Sequence, residues 1–244
     1  QDDSAGGTAA DLAVVRAART SYGPLGTKGP AKDRKLLSYL YRNGHTSPFE
    51  QVEFQFVINA PIVVWWHLVR HRMAELNMQS GRYTEYPSEE SFYLPAGDQW
   101  RLSSAPGGDK QASAQGMFLP ENLHNEYNVP HGYGPVSIDG VGWPVVGGNK
   151  FTQGLQFLQN LGYRWYKAAI ANGIAREQAR LFLPAFTLYH RGVWKVNAGS
   201  LLNVLRKRND SAAQWEINEF ARAVECIFQK YMPWTHEELE LERA

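Results

Sequence analysis

The chain has 244 residues, a hydrophobic fraction of 43% and a formal net charge of +1: enough apolar material for one large core, and too little positive charge for a general nucleic-acid binder. Its single cysteine, Cys226, excludes an intramolecular disulfide framework and a multi-cysteine metal site, and favours a reducing, cytoplasmic setting. No apolar run approaches the length that spans a bilayer, and the polar stretch Gln1 to Ala10 contains no basic segment leading into a hydrophobic one, so no membrane partner is expected.

The spacing of Leu12, Val15 and Ala18 predicts a helix over 11–21, stopped near Gly23-Pro24. A second helix is predicted over 33–43, with Gly44 as its C′ residue. From Val52 to Ile58 apolar and polar side chains alternate, the period-2 signature of a half-buried strand. Pro61 then suits a helix start and Gly81 a helix stop. Between them Ile62, Trp65, Trp66, Val69, Met73 and Leu76 fall on one arc at 3.6 residues per turn, which predicts a core helix.

Residues 95–150 hold ten of the 22 glycines and six of the 13 prolines, which reads as an insertion of long loops with a short helix or hairpin, near the active site. Helical pattern returns over 154–172 up to Gly173, and over 175–183 before Pro184; 186–196 reads as a strand or hairpin. Asn197 is placed to cap a helix running to Arg208. Asp210 or Ser211 is placed to cap the last long helix, where Ser211-x-x-Gln214 has capping-box form. The expected buried stripe of that helix is Ile217, Phe220, Ala221, Val224, Ile227, Phe228 and Tyr231. This order of elements is that of an α+β fold, an antiparallel or mixed sheet packed with several helices, rather than a βαβ alternation. One domain over 1–244 is expected, carrying the insertion.

Chemistry concentrates between Arg70 and Tyr83. On the predicted helix Arg70 and Arg72 leave opposite edges of the apolar arc, and two guanidiniums so placed can hold two anionic groups. Seven residues on, Ser80-Gly81-Arg82 offers a hydroxyl, backbone amides and a third guanidinium to a phosphate or base edge. Taken alone, the triplet is better read as a solvated basic face with a glycine cap.

The flanking residues decide. Arg70-His71-Arg72, then seven residues, then Ser80-Gly81-Arg82-Tyr83, resembles the signature of the flavin-dependent thymidylate synthases. Gly44-His45-x-x-Pro48-Phe49-Glu50 before a Phe-x-Phe strand is similar to an earlier block of that family. Ala179-Arg180-x-x-Leu183-Pro184 and Asp210-Ser211-x-x-Gln214-Trp215-Glu216-Ile217 are similar to later ones, and Pro233-Trp234-Thr235 resembles the end of its last helix. The resemblance covers nearly the whole chain outside 95–150 and implies a thymidylate synthase-complementing fold.

It also implies roles. The nucleotide is expected at Arg70, Arg82, Arg180 and Arg208, with His67, Gln79, Ser80 and Gly81 beside it. FAD is expected at Ser21, Ser47, Glu50, Arg70, His71, Arg72, Met73, Asn77, Asn197, Asn203 and Gln214, and His45 lies where folate stacks on the flavin. Arg208, Ser80 and Arg70 are the candidates nearest the chemistry. The implied reaction methylates C5 of uracil in dUMP or UMP, with methylenetetrahydrofolate as carbon donor and NADPH as reductant. The implied assembly is a homotetramer whose active sites combine several subunits.

Methylating C5 requires that carbon to become nucleophilic, which an enzyme thiolate adding at C6 can achieve. Cys226 is expected to be a small buried hydrophobe on the last helix, and Ser80 has no base beside it in sequence. The hard step then falls to the cofactor, as the resemblance implies through hydride delivery from reduced FAD. Gly132-x-Gly134 and Gly140-x-Gly142 lack the third glycine and the strand–turn–helix setting of a dinucleotide site. No metal is expected.

Several positions depart from the family pattern. His67 stands for a Gln or Glu beside the nucleotide, Glu75 for a small Ser, Gly199 for an Arg that touches FAD, and Ala212 for a His near the flavin. Arg206 or Lys207 could compensate for the missing arginine. His67 and Glu75, within a turn or two of Arg70, point to an altered sugar preference. That brings in the family's antibiotic-pathway branch, known from polyoxin biosynthesis, which methylates UMP. Two other readings stay open: a non-catalytic nucleotide-binding homologue, motivated by Gly199 and Ala212, and a nucleic-acid binder using Arg70-His71-Arg72 and Arg206-Lys207-Arg208, against which the near-neutral charge counts.

Overall fold

In the computed structural model, which describes residues 7–23, 26–96, 99–103, 113–117 and 150–244, the alternating segment forms strand β1 (Glu53–Pro61). Glu53, Gln55 and Asn59 are exposed while Ile58 and Ala60 are buried, and Phe54 stacks on Phe56 two residues along the same face, centroids 5.9 Å apart. Strand β5 (Tyr189–Asn197) lies between β1 and β2 (Ala74–Met78). Hydrogen bonds from Ala198 N to the Val52 carbonyl at 2.8 Å, and from Ile62 N to the Leu188 carbonyl at 3.0 Å, mark β1 and β5 as antiparallel. A second antiparallel pair, β3 (Arg101–Ser103) with β4 (Ser113–Met117), lies within 95–150, where long loops with a short helix or hairpin are expected; residues 104–112 and 118–149 lie outside the described residues. Sheet and helices together make the α+β fold that the element order predicts.

Helices α1 (Ala9–Arg19) and α2 (Pro30–Arg42) fall within three residues of their predicted limits. Gly44 ends α2 at φ +67, a left-handed turn that lets His45 N reach the Leu40 carbonyl at 2.9 Å. Helix α6 (Ala198–Arg208) starts as read from sequence, the Asn197 side chain accepting from Ser200 N at 2.8 Å.

The helix predicted over 61–81 is overturned. Helix α3 (Ile62–Leu68) has only seven residues, and the chain turns at Arg70 and enters β2. Pairing with β5 outweighs the helical spacing, because tertiary contacts routinely override so weak a local preference. Of the arc only Trp65 is core, 1% exposed, whereas Trp66 is 56% exposed, Val69 45%, Met73 73% and Leu76 38%. Arg70 and Arg72 therefore leave a turn rather than the two edges of a helix, and Ser80-Gly81 follows a strand.

Three further expectations are corrected. Helix α7 (Trp215–Tyr231) begins after Gln214 without the capping box, since Asp210 Oδ1 instead accepts from Ala212 N at 2.8 Å and shapes the preceding turn. Ile227 and Tyr231 are exposed, and Cys226, expected in the core, is exposed on the same helix. Pro233-Trp234 does not end the last helix but opens another, α8 (Pro233–Arg243), whose proline occupies the first turn, where the absent N–H is not needed.

The chain divides into two compact units, Gln1–Ile58 with Trp66–Asn77 and Gly192–Ala244, and Asn59–Trp65 with Met78–Arg191. In the first, Trp194 is fully buried against Phe56 and Phe220, and each such aromatic contributes about 2–3 kcal/mol by area. Asp11 of α1 caps α8 there, accepting from Trp234 N at 3.0 Å and from the Thr235 hydroxyl at 2.7 Å. In the second, α4 (Lys150–Ala171) packs Tyr166 with Tyr86, Phe92, Leu183 and Leu188. Gly162 is required where α4 meets the Phe182 carbonyl, which an added Cβ would approach to 2.5 Å. No helix of the described residues is long and apolar enough to cross a membrane.

Candidate functional site

In the first unit, the turn that ends α3 is closed by hydrogen bonds from Arg70 N to the His67 carbonyl at 3.2 Å and from His71 N to the Leu68 carbonyl at 2.9 Å. It throws Arg70 and Arg72 outward, both exposed, and tucks His71 inward. His71 Nε2 accepts from Arg208 Nε at 3.1 Å, so its proton sits on Nδ1 and the ring is neutral. Burial, then the charges of Arg208, Lys207 and His67, lower the His71 pKa to about 4. Arg208 gives Nε to His71, and among the described residues nothing hydrogen-bonds its terminal nitrogens, which leaves them to a ligand.

His67, in the last turn of α3, bonds the Gln214 Oε1 at 2.9 Å, and Gln214 Nε2 donates to Glu216 at 2.8 Å. Both polar ends of Gln214 are thus engaged, and His67 is the residue that holds it. Glu75, the other departure from the pattern, pairs with Lys195 at 3.0 Å, and Lys195 also pairs with Glu53 at 2.9 Å. The three strands so share a charge ladder, and Glu75 is accounted for by sheet pairing.

Gly199, in the first turn of α6, brings Asn197 and Glu50 together: a Cβ there would lie 3.5 Å from Asn197 Oδ1 and 3.6 Å from Glu50 Cγ, ordinary contact distances. A Cβ is therefore tolerated where the family's arginine is missing. Ser47 and Asn203 are exposed nearby in sequence, and His45 is exposed with its ring stacked on Tyr39 at 5.8 Å. Among the described residues Ser21, His45, Met73, Asn77 and Asn203 make no hydrogen bond to the other candidates.

The second unit carries a tight loop after β2. The Ser80 carbonyl accepts from Tyr83 N at 3.1 Å and Thr84 N at 3.2 Å, and Ser80 Oγ accepts from Arg82 N at 3.3 Å. Gln79 fixes the loop from both sides, through its N–H to the Arg191 carbonyl at 2.9 Å and its amide to Thr84 Oγ1 at 2.9 Å. Gly81 is buried because Tyr86 lies against it; an added Cβ would stand 2.8 Å from the Tyr86 hydroxyl. That hydroxyl lies 3.3 Å from His190 Nε2, and burial holds the imidazole below its usual pKa. A cavity of about 460 Å³ opens beside the loop, lined by Gln79, Tyr86, Ser91, Tyr189 and Arg191 among others.

Glu177 of the short helix α5 (Arg176–Ala179) organises two of the expected arginines: its carboxylate pairs with Arg82 Nε at 3.0 Å and its carbonyl accepts from Arg180 Nε at 3.3 Å. Glu177, Tyr86 and His190 were not found by sequence reasoning; only Glu177, three residues before Arg180 on a helical pattern, left a signal there. Among the described residues no carboxylate pairs with Arg70, Arg72, Arg180 or Arg208, although Arg19, Arg34, Arg42, Arg206, Arg222 and Arg243 all have acidic partners. Guanidiniums left without counter-charge are what an anionic ligand needs. Among the described residues the one group of metal-type donors, Glu225, His236 and Glu240, is filled by Arg243, which pairs with Glu240 at 2.9 Å.

Residues 6–234 match the family described as thymidylate synthase complementing protein. The flavin-dependent thymidylate synthase of Thermotoga neapolitana is 37% identical over 227 residues, 93% of this chain and 84% of that protein. That of Thermus thermophilus is 36% identical over 223 residues, 91% of this chain and 69% of the relative. Among solved structures, the UMP/dUMP methylase PolB from Streptomyces cacaoi bound with 5-Br dUMP superposes with a TM-score of 0.71 at 29% identity, covering 96% of this chain and 92% of that one. The same protein bound with 5-Br UMP gives 0.69 at 30% identity, covering 97% and 92%.

Proposed function

The chain belongs to the thymidylate synthase complementing protein family, and we propose that it is a flavin-dependent enzyme methylating C5 of uracil in a nucleoside monophosphate, dUMP or UMP. The observation that carries the reading is that, among the described residues, Arg70, Arg72 and Arg208 of the first unit and Arg180 of the second have no acidic partner, while eight other arginines do. A dianionic phosphate and a flavin pyrophosphate are the ligands such a set fits.

The residues present fit FAD: Arg70 and Arg72 offer charge, Asn197 and Glu50 meet at Gly199, and Asn203 is exposed on the same helix. Reduced FAD, when bound, supplies the hydride, with methylenetetrahydrofolate as the carbon source and NADPH as the reductant. Ser80 is a binding group and not a nucleophile, because its Oγ accepts from a backbone amide and no base contacts it among the described residues. Arg208, held at Nε by neutral His71, directs its terminal nitrogens to the uracil carbonyl, where charge develops; one such donor is worth about 3 kcal/mol. Gly81 and Arg82 receive the phosphate, Arg180 adds charge beside them, and four copies of the chain assemble to complete the sites.

A second reading concerns the sugar. PolB is a UMP/dUMP methylase, and His67, which replaces the family's Gln or Glu, is the neighbour of Arg70 that separates this chain from a plain dUMP site. This favours UMP use, as in a methylase of nucleoside-antibiotic biosynthesis. The test is a methylation assay of the purified protein with FAD, NADPH and methylenetetrahydrofolate, dUMP and UMP side by side. Methylation of neither nucleotide sinks the main reading; strict use of dUMP sinks the second alone.

A further inference from the structure

Arg208 is the last residue of α6, and the turn that carries it is gripped from behind by buried polar side chains outside every motif used so far. Helix ends leave carbonyls without partners. Here Asn218 of α7, 7% exposed, donates through its amide nitrogen to the Arg208 carbonyl and to the Asp210 carbonyl, each at 3.1 Å. Both amide hydrogens are committed, so the side chain cannot rotate without breaking one bond. Asn209, between those carbonyls, donates its own amide to Glu225.

Glu225, also 7% exposed, is held in turn by α8: His236 Nε2 lies 3.0 Å from Oε1, and Arg243 Nη2 donates to Oε2 at 3.2 Å. Arg243 Nη2 also donates to the Leu205 carbonyl at 3.2 Å, within the last turn of α6. Burial pushes the Glu225 carboxyl up, but hydrogen bonds from Arg243 and Asn209 outweigh it and keep the group below the usual carboxylate range, ionised at neutral pH. The side chain of Arg208 is fixed at its other end by His71. Backbone and Nε are thus both tied, and among the described residues the terminal nitrogens have no partner.

We infer that Asn218 is a positioning residue for Arg208, with Glu225 bracing the same turn, an inference that rests on the reading of Arg208 as a nucleotide-binding arginine. A residue that merely glued α7 to α6 would lower stability when removed and leave nucleotide affinity of the folded enzyme alone. A positioning residue changes that affinity, and only through Arg208.

The experiment is a double-mutant cycle on the flavin-loaded enzyme, with dUMP and UMP dissociation constants and Tm measured for Asn218→Ala, Asn218→Asp, Arg208→Ala and the Asn218→Ala/Arg208→Ala pair. Asn218→Asp keeps the shape, removes both donors and turns a carboxylate toward two carbonyls. Each Asn218 variant is expected to weaken nucleotide binding about tenfold, with no further loss when Asn218→Ala is added to Arg208→Ala. Unchanged affinity in the folded Asn218 variants, or losses that add in full, overturns the inference. An Arg208→Ala enzyme that binds as tightly as wild type removes the reading beneath it, and the inference falls with it. Should the Asn218 variants not fold, Asn209→Ala releases the turn from Glu225 while leaving Asn218 buried, and the same coupling to Arg208 decides.

Discussion

A histidine packed against Arg208 with Lys207 near it has little reason to hold a proton. His71 titrates near 4 in the folded chain against its ordinary 6.5, so between those values the unfolded state binds the extra proton and the folded state resists it. The stability this neutral ring contributes is complete above pH 6.5 and is lost as pH falls toward 4. Urea titrations of wild type and His71→Gln from pH 7 to 4 should therefore converge as the pH drops, because the variant lacks the titrating group. A constant gap across that range would contradict the geometry. Gly81 makes a steric case at the same scale. Gly81→Ala should destabilise by about 1–3 kcal/mol and weaken nucleotide binding, and adding Tyr86→Phe, which removes the hydroxyl 2.8 Å from the new Cβ, should recover part of both. Denaturation and nucleotide titration of the three variants check it. The signature in the sequence pointed to Gly81, but its reason was not legible there: Tyr86 lies five residues on, and only the folded loop returns it. Glu177 was hidden the same way, behind ninety-odd residues of chain separating it from Arg82.

Elements were legible where the local signal and the tertiary contacts agree. Strand β1 alternates and is half buried; α6 begins at an asparagine whose side chain does accept the expected hydrogen bond. The segment after Pro61 shows the opposite case. Its apolar spacing is helical, yet Ala74–Met78 supplies the strand beside β5, with Glu75 paired to Lys195. Pairing partners 120 residues away leave no trace in a local period. The α7 start failed for a smaller reason: Asp210 satisfied its oxygen in the turn instead of capping the helix. Gly199 offers an element-scale test. With no neighbour nearer than 3.5 Å to an added Cβ, Gly199→Ala should stabilise α6 by about 0.5 kcal/mol. Gly199→Arg gains similar helix propensity but sets a cation at a helix N-terminus, unfavourable by a few tenths, roughly 0.3 kcal/mol or more. Its Tm should thus barely move while retention of FAD through gel filtration rises. Unchanged flavin retention would leave position 199 without a flavin role.

For the whole molecule, the misread arc is itself informative. Trp66, Val69, Met73 and Leu76 are spaced as buried residues are, and all four are exposed in the stretch of the first unit that carries Arg70 and Arg72. Apolar side chains concentrated beside unpaired charges mark a surface that meets another molecule, since a solvated face has no use for them. The partner of choice is a second copy of the chain, because the proposed tetramer needs an interface and the arginines need ligands brought from the other side of it. Sedimentation of the purified protein should give a tetramer. Val69→Glu and Met73→Glu each place a carboxylate in that apolar surface, at sites whose exposure in the single chain spares the fold. Both should therefore leave the monomer's far-ultraviolet circular dichroism intact, shift the assembly toward smaller species, and lose methylation in step with the loss of tetramer. A variant that stays tetrameric and active would place the interface elsewhere, while one that dissociates yet keeps full activity would show that each chain carries a complete site.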